Sequence, residues 1–262
     1  MAHGIKTYLD SWPQKPVLAR VWPQRAIALA ALLGLAAAPV AASDQLRQFL
    51  ITHNCVGCDL SGRVLAGANL EDADLTGANL AQANLRQARL PRAQMTQTDL
   101  RQANLSQALI SQADLSESDL AGANLREVTL TGSRLVDVNA VNINMENAEA
   151  RDSNWANSDL SDSRLDGAVF NQSGFFATNL SRTTLTDGKF YRATLIGAQL
   201  DGADFTGADL REALIRDASV DGTNFTNADL LGANLARTDL SRALFCNTRM
   251  ANGDINNDHC AN

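Results

Sequence analysis

Cys55-Val56-Gly57-Cys58 is the stretch whose residue types and spacing could do chemistry. A Cys-x-x-Cys pair can carry thiol–disulfide exchange where a helix N-terminus or a cation lowers one thiol. It can also ligate a metal, but with His53 it offers three ligands where structural zinc takes four. A third use is a plain disulfide. As the first and fourth residues of a β-turn, Cys55 and Cys58 would have Cα atoms within about 7 Å, which a disulfide tolerates. No strand–CxxC–helix pattern surrounds them, so the disulfide is the favoured reading. The other cysteines, Cys246 and Cys260, lie near the opposite end of the chain, with His259 beside the latter.

Carboxylates are the other candidate chemistry. Asp74, Asn79, Asn84, Asp99, Asp114 and Asp119 could be read as acid/base pairs or calcium ligands. Each stands directly before an apolar residue of a repeat, so the repeat accounts for its spacing. No Gly-rich phosphate loop, nucleophile elbow or His-centred triad occurs, and the chain has 3 histidines. The expectation is no enzyme: no catalytic residue, no cofactor and no metal site.

The element that would position all of these is a five-residue repeat. From Leu60 to Met250 every residue whose number divides by five is apolar, and only Ala140 and Ala150 among them are small. Two places earlier the residue is nearly always small; Arg63, Val128, Val138 and Ile143 are the exceptions. A period of five fits neither an α-helix nor a flat strand. It fits a chain that turns a corner every five residues. Most of the 17 glycines fall two places after the apolar residue, as at Gly67, Gly77 and Gly122. Glycine there supplies the positive φ of a type II turn, and corners without glycine are expected to be type I. Four corners close a coil of about twenty residues, and stacked coils pair as parallel strands. The aromatics agree with that spacing: Phe205, Phe225 and Phe245 would form one column, Phe170 and Phe190 another, Trp155 and Phe175 a third.

Ala73-Asp74-Leu75-Thr76-Gly77 and Ala233-Asn234-Leu235-Ala236-Arg237 resemble the A-(D/N)-L-x-x consensus of the pentapeptide-repeat family. The resemblance implies an all-β solenoid, a right-handed quadrilateral parallel β-helix of about ten coils with leucine and phenylalanine inside. The family includes gyrase-binding DNA mimics and many lumenal proteins, so it specifies a fold rather than a function.

Four segments follow. Residues 1–42 combine a basic leader with the apolar run Ala26 to Ala38, Pro39, and small residues at Val40-Ala41-Ala42 before Ser43. That is the pattern of a secretory signal peptide. The apolar run falls short of the ~20 residues of a membrane span. Residues 43–57 read as a cap: a short helix from Ser43 to Asn54, started by Ser43 or Asp44, then a turn. Residues 58–250 are the solenoid. Residues 251–262 are a tail that starts with the turn signal Asn252-Gly253 and could fold over Phe245 and Met250. Cross-pairing of the cysteines would have to span the rod, so Cys55–Cys58 and Cys246–Cys260 are the favoured bridges. An even cysteine number in an exported chain favours bridging.

The chain carries 29 acidic and 22 basic residues, a net charge of −7. That argues against direct nucleic-acid binding. The leading reading is an exported structural or protein-interaction solenoid of a periplasm or thylakoid lumen, with an unknown protein partner and no stable membrane span after cleavage. The alternative is an acidic DNA mimic that inhibits gyrase and protects against quinolones. Arginines throughout the repeat and the export signal weigh against it. One corner column, Val136, Ala156, Phe176 and Ile196, is apolar where solvent-facing residues are expected. Val136, Phe176 and Ile196 are therefore the candidate contact with a partner or a second copy. Asp166, as an outward residue, is expected to tolerate alanine within about ±0.5 kcal/mol.

Overall fold

A computed structural model describes residues 40–260. The chain divides into two units between Arg47 and Gln48. Helix α1, Val40–Thr52, begins in the first and ends in the second. It starts three residues before Ser43, so the start expected at Ser43 or Asp44 falls inside the helix. The 1–39 portion of the leader lies outside the described residues.

In the second unit the backbone coils with a repeat of twenty residues. Isolated parallel bridges join residues before inward residues to their counterparts twenty places on, from Asn54↔Asp74 through Asp229↔Arg249, with a break at Ser219 and Asp239. The first bridge residue, Asn54, precedes the expected solenoid boundary at Cys58. The inward set is buried throughout the body: Leu60, Leu65, Leu70 and the rest to Phe225 and Leu230 are almost fully shielded. Burying a leucine or phenylalanine side chain contributes about 1.5–3 kcal/mol, so this single file of side chains supplies most of the driving force. Val138 and Ile143 are buried beside the small Ala140, which keeps local core volume roughly level. The aromatics stack by column. Ring centroids are 5.6 Å apart for Phe205–Phe225, 5.8 Å for Phe225–Phe245, 5.2 Å for Phe170–Phe190 and 6.4 Å for Trp155–Phe175.

An edge preceded by Asp or Asn can satisfy all five of its N–H groups. In the edge Leu80–Asn84, Leu80 donates to Asp99 O at 2.7 Å and Gln82 to Arg101 O at 2.8 Å, both in the next coil. Asn84 donates to Arg63 O in the previous coil, and Ala83 closes the corner on Leu80 O. That leaves the N–H of Ala81, which the Asn79 side chain accepts at 3.1 Å. The Asp or Asn before each inward residue is therefore an N–H acceptor for the corner, a local turn bond typical of these side chains. Arg89 cannot do this, and the corner residue after it is Pro91, which has no N–H to satisfy. Thr184, Lys189 and Ser219 cannot do it either. There the acceptor comes from the coil below: Asp166 for Thr186 N, Asn171 for Tyr191 N and Asp201 for Asp221 N.

Buried hydroxyls repair a further gap. At Val138 and Ile143 the N–H does not close the corner and instead donates to Ser158 Oγ (2.9 Å) and Ser163 Oγ (3.0 Å) of the next coil. Ser158 passes its own proton to Leu135 O at 2.6 Å. Ser153 Oγ also accepts from the indole N–H of Trp155 at 2.8 Å, so the largest core side chain is satisfied.

The corners differ from expectation. The second corner residue is left-handed at every turn from Gly57 to Arg237, whether or not it is glycine. Gln82, Arg92, Glu117 and Ala177 have φ of 59°, 58°, 60° and 53°. The type I expectation for non-glycine corners is thus wrong. A type I turn would rotate the peptide that must donate to the next coil, and the inter-coil bond decides. L-residues bear a cost of about 1–2 kcal/mol in that region, which the ladder offsets.

After Leu230 the solenoid loosens. Leu235, Leu240 and Met250 are only half-buried. Strand β1 (Thr248–Arg249) pairs antiparallel with β2 (Ile255–Asn256) across a turn at Asn252-Gly253. The tail lies over Phe245, with His259 donating to Phe245 O at 2.9 Å, but it does not cover Met250.

Two outcomes follow for stability. Ala177→Gly should raise the urea midpoint by the equivalent of about 1 kcal/mol, because alanine gains nothing in the left-handed region that glycine reaches freely. A lowered midpoint would contradict the corner geometry. Asp166→Ala should cost about 1 kcal/mol, more than an ordinary surface site, because it strips acceptors from Thr186 N, Thr186 Oγ1 (2.6 Å) and Thr184 Oγ1 (2.8 Å). Burial pushes the Asp166 carboxyl up, but those Thr186 and Thr184 bonds pull it below the usual carboxylate range overall. A lowered folded value stabilises above the unfolded value of about 4 and is lost as pH falls through the lower folded one. The wild-type advantage over Asp166→Ala in urea should therefore shrink between neutral pH and pH 3. An equal advantage at both would exclude the carboxylate as its source.

Candidate functional site

The corners between walls carry the side chains that face solvent, and many of their arginines are ion-paired within the chain. Residues twenty apart sit one above the other, so opposite charges at that spacing meet. Arg92 bonds Asp72 at 2.8 Å and Glu71 at 2.7 Å. Arg182 bonds Asp162 at 2.7 Å, and Arg192 bonds Glu212 at 2.7 Å. Arg101 and Arg211 instead reach back two residues to Asp99 and Asp209. The bonded guanidinium holds each of Asp72, Asp99, Asp162, Asp209 and Glu212 below its ordinary value. Glutamines form a parallel ladder, with Gln87 donating to Gln107 and Gln107 to Glu127. These perturbed carboxyls are ion-paired surface groups, and none is poised against a proton donor in a cleft.

Tyr191 lines an open cleft of about 330 Å³ with Arg211, Glu212, Leu231 and Gly232. Its ring lies under the guanidinium groups of Arg192 and Arg211, at 5.0 Å and 5.8 Å, and its hydroxyl bonds Glu212 at 3.2 Å. The polar groups of this cleft are thus committed to one another. It was not foreseen from sequence; the only signal was an aromatic at a corner position with arginine one and twenty residues on.

The cysteines stand where the spacing puts them. Cys55 and Cys58 are the ends of one corner, with Cα atoms 5.3 Å apart, and Cys246 and Cys260 have Cα atoms 4.7 Å apart. Both pairs are at disulfide distance. The His53 ring nitrogen Nδ1 instead faces Glu71 O at 2.9 Å. Among the described residues no group of three or more His, Cys, Asp and Glu side chains could hold a metal ion.

The apolar corner column is continuous in space. Asp137 N donates to Ala156 O, Asn157 N to Phe176 O and Ala177 N to Ile196 O, so Val136, Ala156, Phe176 and Ile196 stack on successive coils. Phe175 is fully buried and Phe176 is 55% exposed, which settles which ring faces the core. Val136 and Ile196 are half-buried. The flanking residues are uncharged at this height: Gly174 and Thr194 on one wall, Asn179 and Gln199 on the other. Leu214, 38% exposed, continues the first of those walls above Thr194 and was missed from sequence because its position is normally polar.

The sequence profile described as pentapeptide repeats matches in 8 copies, over residues 54–91, 68–107, 93–132, 108–147, 178–217 and 213–252. No curated protein matches the chain. Among solved structures, HetL, a pentapeptide repeat protein involved in heterocyst differentiation regulation in the cyanobacterium Nostoc, is 29% identical over 80% of this chain and 97% of its own, with a TM-score of 0.30. A pentapeptide repeat protein of the Arabidopsis thaliana thylakoid lumen is 26% identical over 50% of this chain and 67% of its own, with a TM-score of 0.25. QnrB1, a plasmid-mediated fluoroquinolone resistance protein, is 17% identical over 76% of this chain and 90% of its own, with a TM-score of 0.39. With the repeat profile covering most of its length, and with its corners, inward column and Asp/Asn acceptors in one register, this chain belongs to the pentapeptide-repeat family, whose members fold as right-handed quadrilateral β-helices.

Proposed function

We propose that this protein is an exported, non-enzymatic solenoid that presents one apolar corner to a protein partner. The observation that carries the reading is Phe176. A surface whose side chains are mostly polar or charged leaves a phenylalanine ring exposed between half-buried Val136 and Ile196. Contiguous exposed apolar surface is the usual mark of a contact site. The ion-paired arginines also weigh against mimicry of DNA, since a mimic needs unneutralised acid along its length.

Export rests on two supports. Residues 1–42 have the signal-peptide pattern, and both cysteine pairs stand at bridging distance, as suits an oxidising compartment such as a periplasm or thylakoid lumen. Among the described residues no helix is long and apolar enough to cross a membrane. In this reading about ten coils form the rod, the end of α1 caps one end through buried Phe49, and the Cys246–Cys260 loop caps the other.

A photo-crosslinking residue in place of Phe176, introduced in the native host, should capture protein well above the yield from the same residue in place of Thr226 on another corner. Equal yields would overturn the contact site. Intact-mass analysis of the native protein should give a chain starting at Ser43. Non-reducing peptide mapping should join Cys55 to Cys58 and Cys246 to Cys260. A retained leader together with free thiols would overturn export.

A further inference from the structure

The apolar corner carries its own complement, and we infer that it pairs with the same corner of a second copy of this chain, antiparallel, with Phe176 on the two-fold axis. The inference rests on reading this corner as a contact site and names what occupies it.

The argument is one of charge along the corner. Below the apolar stretch, the corner itself offers Glu117 and Asp137, while on the adjoining wall Arg134 stacks above Asp114 and the two balance in charge. Glu117 accepts only from Gln97, and Asp137 makes no ion pair among the described residues. Above the stretch, the corner offers Arg216 with the Arg237–Asp217 pair. Arg216 makes no ion pair among the described residues, and its Nε is buried with no hydrogen-bond partner. Asp217, the acid whose field it shares, is already bonded to two guanidinium nitrogens of Arg237. The lower end is therefore net acidic and unpaired, and the upper end is net basic with one uncommitted guanidinium.

Symmetry decides how such a corner can meet itself. Coils are spaced about 4.8 Å apart, so the residues two coils below and two coils above Phe176 lie at equal heights of about 10 Å. Those residues are Val136-Asp137 and Arg216-Asp217. An antiparallel two-fold places Phe176 against its own mate, Ile196 against Ala156, and Arg216 against Val136 and Asp137, with each pairing made twice. The small Ala156, Ala177 and Gly197 leave room for the facing Phe176 and Ile196 side chains. A parallel pairing would set Glu117 and Asp137 against themselves and Arg216 against itself, which like-charge repulsion disfavours. The corner is narrow, so the buried area falls in the range of weak, reversible contacts, with a dissociation constant on the order of micromolar.

Sedimentation velocity on the purified protein across a hundred-fold concentration range tests this. The wild type should show a monomer–dimer equilibrium. Phe176→Asp should weaken dimerisation at least about ten-fold and leave the melting temperature unchanged. Asp137→Arg and Arg216→Asp should each weaken it, whereas an equimolar mixture of these two single variants should recover it as a heterodimer, because both facing pairs are then of opposite charge. The double variant Asp137→Arg/Arg216→Asp alone should recover dimerisation, because it restores both opposite pairs. A wild type that stays monomeric throughout would overturn self-association. If Phe176 crosslinking still captures another protein in that case, the contact-site reading stands and only the occupant is wrong. Dimers that survive Phe176→Asp would place the interface elsewhere, and dimers indifferent to both charge reversals would overturn the antiparallel arrangement.

Discussion

Every five-residue edge has five backbone N–H groups to satisfy, and the molecule is organised around how it satisfies them. In Leu80–Asn84 three go to neighbouring coils, one closes its own corner, and one takes a side-chain oxygen; corners without a nearby Asp or Asn, such as Ser111 and Phe176, leave that last N–H without a protein acceptor among the described residues. An unpaired buried backbone group costs as much as a lost hydrogen bond, so for buried N–H groups this accounting is obligatory. It explains why Asp or Asn precedes the inward residue and why Pro91 is tolerated after Arg89. It also explains why Asp166, Asn171 and Asp201 take over where that acceptor is missing. The same demand sets the corner conformation. A left-handed residue turns the peptide so that its N–H points along the rod axis into the next coil. Gln, Asp and Arg accept that geometry at a cost, because the alternative forfeits an inter-coil bond.

The core is a consequence of the same ladder. Once coils stack at strand spacing, residues twenty apart are forced into contact, and aromatics that share a column stack. Serine and threonine are tolerated at the small inward position because the buried hydroxyl finds a carbonyl, of the coil below as for Ser158 and Thr178 or of its own corner as for Ser118 and Ser153, and sometimes an N–H as well. The outer surface follows the same rule. Charges stacked twenty apart pair directly, and glutamines form amide ladders. Such pairs are exposed and contribute little individually. Their effect on function is subtractive: they commit polar groups that a ligand would need.

A rod of this kind has no cleft at a junction of layers, where catalytic groups usually converge. What distinguishes one wall or corner from another is only the order of side chains along it. The apolar corner at Phe176 stands out because it is flanked along its own column by Glu117 and Asp137 on one side and Arg216 on the other. The ends are the other irregular places. There the ladder loses one neighbour, Leu235, Leu240 and Met250 become half-exposed, and the cysteine pairs gather. Tying the chain at its ends limits fraying in an array whose coils touch only their neighbours.

The sequence alone determined the period, the inward file, the aromatic columns and the partners available to each cysteine, because a strict five-residue register maps directly onto a stacked coil. It also singled out Val136, Phe176 and Ile196 as apolar residues at outward positions. The register assigned Phe175 to the core and Phe176 to the corner, and the packing of Phe175 against Trp155 and Phe170 agrees. Composition at the corners suggested two turn types, but the inter-coil bond imposes one. The helix begins at Val40, three residues before the start that the Ser43-Asp44 capping signal suggested. Asp166 looked like an inert surface acid. Its three bonds involve residues eighteen and twenty places on, and such contacts exist only once the coils are stacked.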